Sequence, residues 1–209
     1  MKNILIVLIV FLFNNSFAQL SVSVSAGFDP KEVSLYNRTA SDGDNAYWNN
    51  GITLGVNCDY SLSEKLLISA LFQYSHYNFN NYANAGISIP EISFISASGE
   101  DSKLWCASVE AKYFPFPQNR FKFFILSGLG IAVEDLGTVK TQFSDMNQEG
   151  NITYTINSEI KNYFVHSLGL GVRSDIASNL FVDIVGLYYS NYSEIFQTFF
   201  GASIGYKIF

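Results

Sequence analysis

The sequence predicts an all-β protein in which eight antiparallel strands, joined up and down, close into a barrel behind an N-terminal export signal. Three observations carry that expectation. Apolar and small polar residues alternate along eight separate stretches, and the connections between them alternate between short turns and long polar loops. Of the 209 residues, 48% are hydrophobic and 16% aromatic, while only 14% are charged. Such a chain needs either a large dry core or an apolar medium around it.

The first segment reads as an address. Lys2 precedes an unbroken apolar run from Ile4 to Phe13, and small residues follow at Ser16 and Ala18. That is the pattern of a secretory signal peptide, and the run is too short to span a bilayer as a helix. We expect residues 1–18 to be the signal, cut between Ala18 and Gln19, and residues 19–209 to form one barrel domain.

The first strand is Leu20 to Phe28, where every second residue is apolar and each intervening one is Ser or Gly. The same period of two marks Ile52 to Tyr60, Leu66 to Tyr74, Trp105 to Tyr113, Phe123 to Val133, Phe164 to Val172, Leu180 to Tyr188 and Phe200 to Ile208. Ser61 to Lys65, Pro115 to Arg120 and Ser174 to Asn179 have turn composition. Asp29 to Asn50, Asn78 to Ser102 and Asp135 to Asn162 are long polar loops, and Asn191 to Ile195 is a short one. All four prolines fall in connections, where no ladder N–H is needed. Both chain ends and the three turns then lie on one side, with the four loops on the other.

Two architectures use eight such strands. A soluble lipocalin-like barrel turns its apolar face inward, whereas an outer-membrane barrel turns it toward lipid and fills a narrow lumen with polar side chains. Opposite the aliphatic positions stand Ser21, Ser23, Ser25, Gly128, Gly130, Gly169 and Gly171, together with the charges Glu110, Lys112, Lys122, Arg173 and Asp183. A narrow lumen requires small residues and paired charges, so the lipid-facing reading is favoured. Aromatics gather at strand ends, at Phe28, Tyr60, Trp105, Tyr113, Phe114, Phe121, Tyr188 and Tyr189, as at membrane interfaces.

The stretch Glu110-Ala-Lys112-Tyr113-Phe114-Pro115, followed by Phe121 to Gly130, resembles the middle hairpin of small OmpA-like and OmpX-like outer-membrane β-barrel proteins. It is most similar to the Bacteroidetes forms labelled outer membrane β-barrel or PorT-like. Leu168 to Val172 and Gly201 to Phe209 strengthen the likeness. The resemblance implies an outer-membrane location and a final strand read by the barrel-assembly machinery, here through Tyr206, Ile208 and Phe209. In this chain Tyr206 and Ile208 share one face of the strand and Phe209 falls on the other.

Chemistry is sparse. The only histidines are His76 and His166, and His166 precedes Ser167 in a strand, where successive side chains point to opposite faces. Neither segment has the His-x-Ser arrangement of barrel lipid A deacylases, so we expect no enzyme and no cofactor. Asp42-Gly43-Asp44-Asn45 lacks the later carboxylate of a calcium loop and reads as a solvated acidic turn. Cys58 and Cys106 fall on strands that are not neighbours, and each reads as a packed thiol. With 12 basic and 18 acidic residues and a net charge of -6, nucleic acid is not an expected partner.

We expect Glu110, Lys112, Lys122, Arg173 and Asp183 to form a charge network that closes the lumen. The long loops mix polar residues with aromatics, among them Tyr47, Trp48, Tyr82 and Phe94, which suits binding of a surface protein or glycan. Equally, they extend the hairpins above the membrane. The reading is therefore a monomeric, non-enzymatic scaffold set in outer-membrane lipid and lipopolysaccharide, presenting loops for adhesion or partner binding. A PorT-like secretion accessory, a lipid-modifying enzyme and a narrow porin are the alternatives.

Overall fold

The computed structural model describes residues 19–29, 50–80, 92–145, 151–190 and 196–208; for 92–94, 145, 196 and 197 it describes the backbone alone. The strands are β1 (Leu20–Asp29), β2 (Gly51–Ser61), β3 (Leu66–Tyr77), β4 (Ile92–Gly99), β5 (Ser102–Tyr113) and β6 (Phe121–Leu136). They continue with β7 (Val139–Asp145), β8 (Asn151–Ile156), β9 (Glu159–Asp175), β10 (Leu180–Ser190) and β11 (Phe196–Lys207). Eight of them close a barrel in the order β1-β11-β10-β9-β6-β5-β3-β2, every pair antiparallel. Each expected strand is present, and most run further than the alternation alone indicated. Among the described residues no helix is long and apolar enough to cross a membrane.

Register fixes the shape. A path of paired residues that leaves Leu180 and passes Tyr206, Val22, Cys58, Ala70, Val109, Leu129 and His166 returns to β10 at Ser190, ten residues higher. That stagger tilts the strands by roughly 35–45° from the barrel axis and leaves an interior that side chains can fill.

Burial alternates with parity along the wall. Val24, Leu54, Phe72, Val109, Leu129, Leu170 and Ile184 point outward and are exposed, while Ser23, Thr53, Ser69, Ser108, Ser167 and Ser203 point inward and are buried. The outward positions carry Asp, Glu, Lys or Arg only at the loop ends, at Lys103 and Asp135. Tyr60, Tyr113 and Tyr206 lie outward near the turn ends, and Tyr74, Trp105 and Tyr188 outward toward the loop ends, the Tyr74 and Trp105 rings 5.6 Å apart. Water gains nothing from such a wall. It matches a hydrocarbon slab bordered by two aromatic girdles.

Two of the strand-end aromatics belong elsewhere. Phe114 is buried, its ring 5.3 Å from that of Phe124, and Tyr189 points inward, where its hydroxyl donates to Gln73 Oε1 at 2.5 Å. The doublets Phe123-Phe124, Tyr188-Tyr189 and Phe199-Phe200 each place one ring against lipid and one in the lumen. The inward rings depend on glycine. A Cβ on Gly27 or Gly201 would lie 2.2 Å from a ring carbon of Phe199, and one on Gly171 would lie 2.2 Å from Phe124. Gly201→Val is expected to destabilise the barrel by about 1–3 kcal/mol through overpacking. Urea unfolding followed by tryptophan fluorescence checks this, and pairing the change with Phe199→Ala should restore part of the loss.

The long connections are not structureless. β4, β7 and β8 form a separate three-stranded antiparallel sheet in the order β4-β7-β8, with a bulge at Ile95 between Phe94 and Ser96. The β6–β9 ladder runs from Phe121 opposite Ser174 to Leu136 opposite Glu159, and the β7–β8 hairpin continues beyond that end. The expectation of polar loops across 78–102 and 135–162 is therefore corrected. These strands are short, and their alternation is diluted by Ser, Thr and Gln on both faces, so composition alone hid them.

Candidate functional site

Three regions carry polar chemistry: the lower lumen, the upper lumen and the sheet beyond the barrel. In the lower lumen, β9 and β10 place Arg173 opposite Asp183 in register. Arg173 Nε donates to Asp183 Oδ1 at 2.7 Å and Nη2 to Oδ2 at 2.7 Å, a bidentate pair. The same Nη2 reaches across the lumen to Asp59 Oδ2 at 2.8 Å. Asp59 Oδ1 accepts from Ser69 Oγ at 2.6 Å and from Lys112 Nζ at 3.3 Å. The guanidinium lies against the Phe181 ring, 3.9 Å from its centroid, with Phe114 at 5.5 Å on another side. Arg173 thus meets both carboxylates through Nε and Nη2 and lies against two rings.

This geometry departs from the expected network in three residues, Lys122, Asp59 and Glu110. Lys122 stands opposite Arg173 on β6, but its ammonium turns to the barrel mouth and pairs with Asp175 Oδ2 at 2.7 Å, where Lys207 also binds Asp175 at 2.9 Å. Repulsion between adjacent cations and the half-exposed Asp175 at the turn end together account for it. Asp59, which the expectation omitted, is the hub, only 1% exposed. Its signal was its parity, since it shares the inward face of β2 with Thr53, Gly55 and Asn57. Glu110, 2% exposed, lies above this set, with Ser108 Oγ at 3.4 Å.

In the upper lumen three bonds are made by hydroxyl groups rather than by cations. Thr53 Oγ1 and Ser75 Oγ are 2.6 Å apart, the Tyr77 hydroxyl donates to Asp29, and Tyr163 donates to Glu134 at 3.2 Å. Between the two layers lies a cavity of about 20 Å³, lined by Ser25, Asn57, Glu110, Lys112, Leu126 and Phe199 among others. It has room for about one water molecule.

Beyond the barrel, Val139, Thr141 and Phe143 bury one face of β7 while Lys140 and Gln142 face out. β8, at the sheet edge, is exposed on both faces from Asn151 to Thr155, including Ile152 and Tyr154. Of the loop aromatics, Phe94 lies on β4 opposite Phe143, while Tyr47, Trp48 and Tyr82 lie outside the described residues, as do the signal segment, Asp42 to Asn45 and Phe209. Tyr206 and Ile208 are exposed at the closing strand, where Ile208 N donates to Leu20 O at 2.7 Å.

The sheet is tied to the barrel by Glu100, whose N–H donates to Thr138 O at 2.9 Å and whose carboxylate accepts from Thr138 N–H at 3.0 Å. That amide holds the Glu100 carboxyl below the usual carboxylate range. A depressed folded-state value means the contact contributes above the unfolded value and is lost as pH falls through the acid range. Hydrogen exchange should show Thr138 amide protection weakening on acidification in the wild type and staying flat with pH in Glu100→Gln.

Candidates for catalysis are not assembled. His76 Nε2 is 3.2 Å from Asp101 Oδ2 at the loop end, with no hydroxyl nucleophile bonded to it among the described residues. His166 faces outward, 3.4 Å from Ser127 Oγ, and among the described residues no carboxylate lies within ion-pair distance to orient it. Cys58 faces outward and Cys106 is buried inward, with β3 between their strands. No group of three or more metal-ligating side chains occurs among the described residues.

An apolar exterior, a filled polar interior and up-and-down closure define the class of small eight-stranded membrane barrels. Solved structures of that class are similar to this chain. Ail, the attachment invasion locus protein of Yersinia pestis, solved with the heparin analogue sucrose octasulfate, matches with a TM-score of 0.52 at 16% identity over 92% of this chain and 99% of that one. Neisserial surface protein A matches with a TM-score of 0.52 at 12% identity, over 91% and 99%. At such identities the likeness is one of fold. No protein-family model and no curated protein sequence matches the chain.

Proposed function

We propose that this protein is a non-enzymatic outer-membrane barrel that holds a small β-sheet outside the cell for contact with a partner surface. The observation that carries the reading is the pairing of a closed lumen with an exposed edge strand. Among the described residues, the ion cluster that crosses the lower lumen and the small cavity of about 20 Å³ above it speak against a narrow porin. Among the described residues His166 has no orienting carboxylate, and His76, which has Asp101, has no bonded hydroxyl, which speaks against the lipid-modifying alternative.

Residues 1–18 direct export, and Tyr206, Ile208 and Phe209 present the closing strand to the assembly machinery. The barrel is a monomer among outer-leaflet lipids, its loops and sheet outward. The PorT-like secretion role rests on sequence resemblance alone and ranks second. Ail was solved with a sulfated-sugar analogue, but this chain carries a net charge of -6, and Lys140 is the only basic residue on β7 and β8. A protein or neutral glycan is therefore the expected ligand, taken by the exposed Ile152, Tyr154 and neighbouring threonines.

The test is attachment of cells displaying the protein to protein-coated and glycan-coated surfaces. The wild type should adhere, and Ile152→Ser with Tyr154→Ser should abolish attachment while leaving surface abundance unchanged. Equal attachment by both would reject the role given to the sheet.

A further inference from the structure

β8 closes the three-stranded sheet at one edge, and among the described residues no strand pairs with its far side. Ladder groups along that side are left for another chain, a situation that edge strands usually mask with charge, proline or a bulge. β8 has none of these. From Gly150 to Ser158 the sequence contains no Asp, Glu, Lys, Arg or Pro, and β8 pairs with β7 without a register shift.

A second observation says what fits this edge. Asn151-Ile152-Thr153-Tyr154-Thr155-Ile156-Asn157 reads the same in both directions. Two copies laid antiparallel about a two-fold at Tyr154 set Ile152 opposite Ile156, Thr153 opposite Thr155 and Tyr154 opposite Tyr154. An isologous contact requires such self-complementarity, and aromatic, β-branched and Thr–Thr pairs are among those that hold strands together. No like charges meet along it. The faces agree as well. Ile152 and Tyr154 lie opposite Phe143 and Thr141 on the side that β7 buries, while Thr153 and Thr155 share the other face with Gln142 and Lys140. A two-fold normal to the sheet keeps each face on its own side, so the apolar row Ile152, Tyr154 and Ile156 continues into the second copy.

We propose that β8 pairs with β8 of a second copy of this chain, centred on Tyr154, and that the two copies sit in apposed membranes. The pairing rests on the sheet being the protein's contact surface and makes the chain its own protein ligand. Antiparallel pairing reverses the strand, so the second barrel points the opposite way, whereas copies in one membrane share one direction. Ile160 stands opposite Asp135 at the charged border of the wall. Tyr154 lies up to about 20 Å further along the chain, at roughly 3.3 Å per residue, which carries the contact clear of its own membrane. One short strand pair is weak, and many copies on two facing surfaces supply the strength.

The test displays the full chain on two cell populations of different colour and counts mixed aggregates. Wild type should aggregate with wild type and not with cells that lack the protein. Because Thr153 meets Thr155 of the second copy, Thr153→Glu with Thr155→Glu should abolish aggregation of those cells with one another, and so should Thr153→Lys with Thr155→Lys. Mixing the two variants should restore it, since opposite charges then face each other across the strands. Surface abundance and heat-modifiable migration should be unchanged in both. As a second reading, oxidation of aggregated cells displaying Tyr154→Cys should link two chains at the two-fold and leave the wild type, with Cys58 and Cys106 on the barrel, unlinked. Wild-type cells that attach to foreign protein-coated surfaces without aggregating would overturn the pairing and leave the sheet's wider contact role standing; cells that neither attach nor aggregate would reject both. Charge variants that aggregate with themselves as the wild type does, or that stay apart when mixed, would also overturn it.

Discussion

Arg173→Met is expected to destabilise the folded barrel by about 3–5 kcal/mol, the usual effect of removing one partner from a buried ion pair. The side chain binds Asp183 through two nitrogens and Asp59 through one, so its loss takes the paired cation from Asp183 and leaves Asp59 with Lys112 and Ser69 alone, in a lumen with little room for water. Replacing the carboxylates as well, in Arg173→Met with Asp59→Asn and Asp183→Asn, removes the stranded charges and should recover most of the loss. Urea titration of the refolded protein measures all of this. A mild effect of the single change, within about 1 kcal/mol as for surface pairs, would show that the cluster is solvated and the lumen open.

Leu170→Arg is the second large effect. Leu170 is 65% exposed on β9 and would pass for an ordinary surface residue if water surrounded the barrel. In water such a substitution changes stability by about 0.5 kcal/mol or less. Facing the middle of a bilayer, an arginine costs about 2–4 kcal/mol. Thr155→Arg on the exposed strand β8 supplies the contrast and should be close to neutral. Folding into lipid vesicles, measured for both variants, separates a lipid-facing wall from a wetted one.

Much of this architecture is legible in the sequence because a strand repeats every two residues and the barrel has one inside and one outside. Leu20 to Phe28 declares both faces within nine residues. Where adjacent residues are both aromatic, as in Phe123-Phe124 and Phe199-Phe200, parity is ambiguous, and only the register shows which ring fills the lumen above its glycines. The ion cluster was half visible for a related reason. Polarity put Glu110, Lys112, Arg173 and Asp183 on the inner face, but the Arg173–Asp59 contact joins positions 114 apart, and no local pattern encodes that meeting. Lys122 shows the converse, since its face was right while its height near the turn end sent it to Asp175. The outer sheet was missed because β4 and β8 are short and exposed, so no apolar stripe marks them.

The central claim is that the chain is a closed barrel whose apolar wall faces lipid. It is tested most directly by extracting the protein from membranes and comparing its gel migration with and without boiling. A closed barrel resists the detergent until heated, so the unboiled protein should recover in the outer-membrane fraction and migrate faster than the boiled form. Recovery in the soluble periplasmic fraction, with identical migration before and after boiling, would contradict the account.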